Sequence, residues 1–162
     1  MERSRTVTWH DPLESAARAA TLSGIEAMRA VMSGELPPPP IAQLMNFAIT
    51  EVGDGDVRFA TTPDESLYNP IGMVHGGLVC TLLDSVLGCA VHTTLPAGVG
   101  YTSIEIKVSY LRPVHAHSGE IVAHGWVTKP GRRVAFAEGD VRDGDGRLLA
   151  SGSSSLLIIG SS

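Results

Sequence analysis

Hydrophobic positions change period along this chain, and the changes divide it into parts. Residues 12–33 repeat at helical spacing. Pro12 stands at a first-turn position, and Ile25, Met28, Val31 and Met32 follow at separations that share a helix face. Gly24 is a candidate break that would split this stretch in two. Pro37 to Pro40 suits neither a helix interior nor a central strand, and predicts a short extended connector. The domain boundary is read there, with an N-terminal helical extension over 1–36 and a core domain over 37–162.

Two strands are predicted between residues 41 and 62, turning at Gly53-Asp54-Gly55, with a polar loop over 63–70 behind them. From His75 to about Thr94 the chain is apolar nearly all round, carrying Leu78, Val79, Leu82, Leu83, Val86 and Leu87. That pattern predicts a buried helix, which Pro96 and Gly98 end. Four strand-like segments follow. Residues 102–111 alternate strictly, with Ile104, Ile106, Val108 and Tyr110 on one face. Residues 120–128, 134–142 and 147–159 come next, separated by hairpin signals such as Pro130-Gly131 and Asp143-Gly144-Asp145-Gly146. The order β-β-α-β-β-β-β predicts an α+β fold. The long helix can bury itself only in the concave face of one antiparallel sheet.

Composition narrows the function classes. The 162 residues fit one domain, and 43% apolar content is that of an ordinary globular protein. No continuous apolar run reaches the eighteen or so residues of a membrane span. No apolar stretch follows the N-terminal arginines, so neither a signal peptide nor a membrane partner is expected, and the cytoplasm is the expected compartment. Cys80 and Cys89 would lie roughly 13 Å apart along one helix, too far to bridge, and read as reduced core residues. The net charge of −5 is unevenly spread. Residues 37–99 hold one basic side chain, Arg58, against six acids, while 100–162 hold seven basic and six acidic. No basic stripe with interleaved aromatics appears, which argues against a nucleic-acid partner. The local cluster Lys129-Pro130-Gly131-Arg132-Arg133 is either a solvated hairpin turn or a grip for a small phosphorylated ligand. His92, His115, His117 and His124 lack metal-ligand spacing, so no metal is expected.

Chemistry concentrates on the long helix. Asp84 is its lone carboxylate, and burying one there costs several kcal/mol unless it is partnered. Gly77, Cys80, Thr81 and Gly88 share its face, leaving room for a ligand or another helix. Dry surroundings would raise its pKa and suit it to act as a base; a structural Asp bonded to Thr81, Ser85 or backbone is the alternative. At the helix entrance, His75-Gly76-Gly77 presents free N–H groups with no side chain to block approach. Such a start is an oxyanion site or simply a tight turn.

Asn69, His75-Gly76-Gly77 six residues on, Asp84 nine further, and a strand ending Leu111-Arg112-Pro113 together resemble the hotdog-fold thioesterases, in particular the PaaI-like phenylacetate-pathway group. The resemblance runs from about Gly34 to Ile159 and includes Gly34-Glu35-Leu36-Pro37 and Gly146-Arg147-Leu148-Leu149-Ala150. It implies an acyl-CoA thioesterase acting on aromatic or short-to-medium acyl groups, with coenzyme A entering as part of the substrate and no separate cofactor. Asp84 would be the general base or nucleophile, the Gly76 N–H would polarise the carbonyl, and Asn69 and His75 would orient water and thioester. Gly77 would border the substrate. The family's strand hydroxyl maps to Ser103, although alternation puts Ser103 opposite the apolar face and leaves Thr102 as a substitute. Lys129, Gly131, Arg132 and Arg133 would hold the nucleotide phosphates. His75 and Asp84 lie about 12–13 Å apart along the helix, too far to share a scissile bond within one chain. A two-fold partner with an antiparallel helix would join them, as the family does in dimers and dimers of dimers. The rival activities are an enoyl-thioester hydratase or dehydratase and a non-catalytic acyl-CoA-binding module.

Overall fold

The computed structural model describes residues 1–160. Asp11 caps α1 (Pro12–Ala19) by accepting the Leu13 N–H at 2.8 Å. The chain then breaks, and Ser23 opens α2 (Gly24–Ser33) through a capping box with Glu26. The predicted split therefore exists. Gly24 serves it by close approach, since a Cβ there would lie 1.7 Å from the backbone oxygen of His92.

Residues 41–45 depart from the strand expected there. Pro39 and Pro40 lock φ for a helix start, Gln43, Leu44 and Met45 favour helix, and Asn46 ends it in the left-handed region at φ 54°. The result is a short helix, α3 (Pro40–Met45), and only Pro37 to Pro39 remain as connector. β1 (Phe47–Gly53) and β2 (Asp56–Thr61) form the first hairpin. The loop behind it leads to α4 (Gly76–Thr93), the central helix.

Then follow β3 (Gly100–Tyr110), β4 (Ile121–Lys129), β5 (Val134–Asp143) and β6 (Leu148–Ile159). The six strands form one antiparallel sheet in the order β1-β2-β4-β5-β6-β3, wrapped around α4. This is the hotdog fold. Gly125, Gly139 and Gly152 face each other across β4, β5 and β6, making a furrow without side chains. α4 lies in it so closely that a Cβ at Gly125 would be 2.6 Å from the Val86 backbone. Leu82, Leu83, Val86, Leu87, Ala90 and Val91 of α4 are fully buried in the sheet. Over its 18 residues α4 has a mean hydropathy of 1.4, which satisfies a membrane span by composition; here it is the core helix.

The other flank of α4 is not covered by the sheet. Cys80, Thr81 and Ser85 are half-buried there and Asp84 is exposed, so this helix is not buried all round within one chain. α2, from the N-terminal extension, packs against β1 and part of α4.

Candidate active site

The loop before α4 is shaped by Asn69. Its Oδ1 accepts the N–H groups of Ile71 and Met73, both at 3.1 Å, across a turn that needs Gly72 at φ 84°. The amide NH2 of Asn69 is thereby pointed away from its own turn. His75 is the N-cap of α4, and its Nδ1 accepts the Gly77 N–H at 2.8 Å. Of the two expected donors, Gly77 is therefore engaged by His75. The Gly76 N–H sits at the first helical position, where no intrahelical acceptor exists. Tyr110 completes this end. Its hydroxyl donates to the Gly76 carbonyl at 3.0 Å, and its ring would stand 3.1 Å from a Cβ at Gly76. Asn69, Gly76 and Tyr110 line one surface hollow.

Farther along α4, Ser103 donates to Asp84 Oδ1 at 2.8 Å. Strict alternation had put Ser103 on the wrong face, and a β-bulge explains the difference. The β3–β6 ladder pairs Ser103 with Leu156 and Glu105 with Ser155, so Ile104 is the extra residue. Tyr101 and Ser103 before the bulge, and Ile106 and Val108 after it, all face the helix. Ile104 is 55% exposed, which corrects the expectation that it shares the face of Ile106 and Val108. Tyr110 is on that face, with its hydroxyl on the Gly76 carbonyl, although its place at the end of the strand leaves it 56% exposed. Thr102 is exposed on the opposite side. Asp84 is itself exposed in the single chain, contrary to the dry setting expected of it, because the flank of α4 that bears it lies outside the sheet. Thr81 bonds the Gly77 carbonyl instead of Asp84.

Two tyrosines of β3, Tyr101 near this pair and Tyr110 at the Gly76 end, escaped sequence reasoning as site residues. Tyr101 lies over Gly88, where a Cβ would meet its ring at 2.6 Å, and beside Cys89. Burial pushes the Cys89 thiol up to about 12, so it is neutral. Burial, and the Cys89 sulfur beside it, push the Tyr101 hydroxyl well above its usual value. The signal was a glycine on the helix opposite each tyrosine, Gly88 with Tyr101 and Gly76 with Tyr110. It is legible only once β3 is known to run antiparallel to α4.

Asp84, Ser103, Cys89 and Tyr101 all line one cavity of about 350 Å³. Asn69 and Gly76 do not reach it; eight residues of helix, about 12 Å, separate Gly76 from Asp84. The chain thus carries two clusters rather than one complete site. Lys129, Arg132 and Arg133 are exposed at the β4–β5 turn, where Gly131 is required because a Cβ would fall 1.9 Å from the Val134 oxygen. Ala135, Leu156 and Ser103 share one row across three strands, which sets the start of β5 about 10 Å from Ser103. Among the described residues no group of three His, Cys, Asp or Glu side chains is placed to hold a metal ion.

The Thioesterase superfamily profile matches residues 71–150, which include His75, Gly76, Asp84 and Ser103. Human acyl-coenzyme A thioesterase 13 is 32% identical over 111 residues, 67% of this chain and 77% of the human protein. The chain belongs to the thioesterase superfamily. A Halobacterium salinarum relative with an esterase name is 33% identical over 103 residues, 60% of this chain; the match spans 66% of its length, just under two thirds. A solved structure with a thioesterase name, a phenylacetic acid degradation-related protein from Ralstonia eutropha, superposes with a TM-score of 0.73 at 26% identity. It covers 80% of this chain and 98% of its own.

Proposed function

We propose that the protein hydrolyses acyl-CoA thioesters of aromatic or short-to-medium acyl groups, with Asp84 as the working carboxylate. The observation that carries this reading is the Asp84–Ser103 pair at 2.8 Å on the rim of an apolar cavity. The Ser103 hydroxyl holds one carboxylate oxygen, and the other is left to act on water or on the thioester carbonyl. As a base, Asp84 takes a proton from water while the water oxygen bonds the carbonyl carbon. Collapse then breaks the C–S bond, and the departing thiolate takes up the proton. As a nucleophile, Asp84 bonds the carbonyl carbon first, expels the thiolate, and water hydrolyses the resulting anhydride.

The carbonyl oxygen needs a hydrogen-bond donor. The Gly76 N–H supplies one at the positive end of a helix, with Asn69 and His75 beside it to orient water and thioester. The distance of about 12 Å between Gly76 and Asp84 favours a two-fold dimer whose antiparallel α4 helices bring Gly76 of one chain to Asp84 of the other. The exposed flank of α4, with its small side chains, suits that approach. Lys129, Arg132 and Arg133 would meet the coenzyme phosphates. A hydratase would use His75 beside an acid, and among the described residues the His75 side chain bonds the Gly77 N–H and no carboxylate.

Release of coenzyme A thiol from benzoyl-CoA and from a series of straight-chain acyl-CoAs tests the reading. Asp84→Asn keeps the volume of the side chain and should lower kcat by about 10²-fold or more with the fold intact. Near wild-type turnover in a folded variant rules out Asp84 as the working group.

A further inference from the structure

The cavity beside Asp84 and Ser103 is walled from an unexpected direction. On one side lie α4 and β3 with the reacting pair; on the other stand Met28, Val31 and Met32 of α2 and Ile41 of α3. α2 belongs to the N-terminal extension and lies outside residues 71–150, the segment that matches the superfamily. Apart from Gln43, the polar side chains of the lining all come from α4 and β3. Phe47 and Phe59, whose rings stack at 5.6 Å, also line the cavity. Met32 and Ile41 remain 44% and 42% exposed at the rim, large apolar groups left partly uncovered around an apolar space. α2 is held in place by backbone contact, since Gly24 packs directly against the His92 carbonyl.

We propose that this cavity receives the acyl tail of the substrate as an unbranched aliphatic chain, and that Met28, Val31 and Met32 of the extension set the chain length accepted. The inference rests on the thioesterase reading for the position of the thioester at Asp84. A volume of about 350 Å³ is within the range of small-molecule pockets. Methionine is unbranched and adaptable, which suits a wall against a flexible chain better than a slot for a rigid ring. The neutral Cys89 thiol adds no charge to the floor.

The test compares the wild-type protein with Met28→Trp and Met32→Trp, which fill the cavity, and with the double variant Met28→Ala/Met32→Ala, which enlarges it. The readout is kcat/KM for straight-chain acyl-CoAs from butyryl to dodecanoyl, with thermal melting to confirm folding. The tryptophan variants should lower the ratio of decanoyl-CoA to butyryl-CoA by about tenfold or more, and the alanine pair should move the optimum to longer chains. An unchanged chain-length profile in folded variants overturns the proposal. If the wild-type protein releases no thiol from any member, the hydrolysis reading fails separately. Calorimetric binding of decanoyl-CoA to the same proteins then decides the cavity. Weaker binding by the tryptophan variants supports an acyl subsite, and equal binding overturns it.

Discussion

Burial around Tyr101 and Cys89 makes the residue scale sensitive to alkali. The Cys89 thiol is held well above its ordinary value of 9.0, at about 12, chiefly by burial. Above pH 9 the unfolded chain therefore gives up this proton before the folded one does. The stability contributed is complete below the ordinary value and is lost as pH rises toward 12. Tyr101, shifted in the same direction, adds to the decline. Melting temperatures between pH 7 and 11 should fall more steeply for the wild-type protein than for Cys89→Ala. Parallel curves for the two would remove Cys89 from the account. At this scale the sequence was informative where a residue was chemically alone. Asp84 is the single carboxylate of its helix, and Asn69, His75 and Gly76 stand together at its start. Its exposure was not legible, because which flank of a helix a sheet leaves open depends on which strands become the edges of the sheet, here β1 and β3.

The bulge at Ile104 decides which hydroxyl meets Asp84, and it leads to a prediction at the scale of the element. Ser103 and Glu105 already pair with consecutive residues of β6, so removing Ile104 would leave a regular ladder with Ser103 facing inward and Glu105 outward. Deletion of Ile104 should therefore yield a folded protein that keeps the Ser103–Asp84 contact and turns over within about tenfold of wild type. Ser103→Ala should lower activity by the same factor in that background and in the parent. Should the deletion variant fold and lose activity as fully as Asp84→Asn does, the bulge has another task. No glycine or proline marks this bulge, so alternation read straight through it and misplaced Ile104. α4 and the four later strands were legible because their periods are long and clearly punctuated. α3 was not, because two prolines that forbid a strand also start a helix. The route of β3 to the far edge beside β6 is a property of sheet closure, which no local pattern encodes.

For the whole molecule, the shared site makes a quantitative claim. Asn69→Ala and Asp84→Ala would be prepared separately, each inactive, and mixed under conditions that let subunits exchange. If Asn69 and Gly76 of one chain work with Asp84 of the other, each mixed dimer has one doubly defective site and one intact site. Random pairing then restores roughly a quarter of wild-type sites, half the dimers being mixed and half of their sites whole. Activity that stays at the level of the separate variants, with exchange confirmed by native mass spectrometry, would show that each chain works alone. The uncovered flank of α4 has a further consequence on the shared-site reading. Below the dissociation constant of the dimer, the rate would rise with the square of protein concentration, and specific activity would fade on dilution. Reassembly would then be a second-order event, and a diluted sample returned to high concentration would show a lag that shortens as more protein is added.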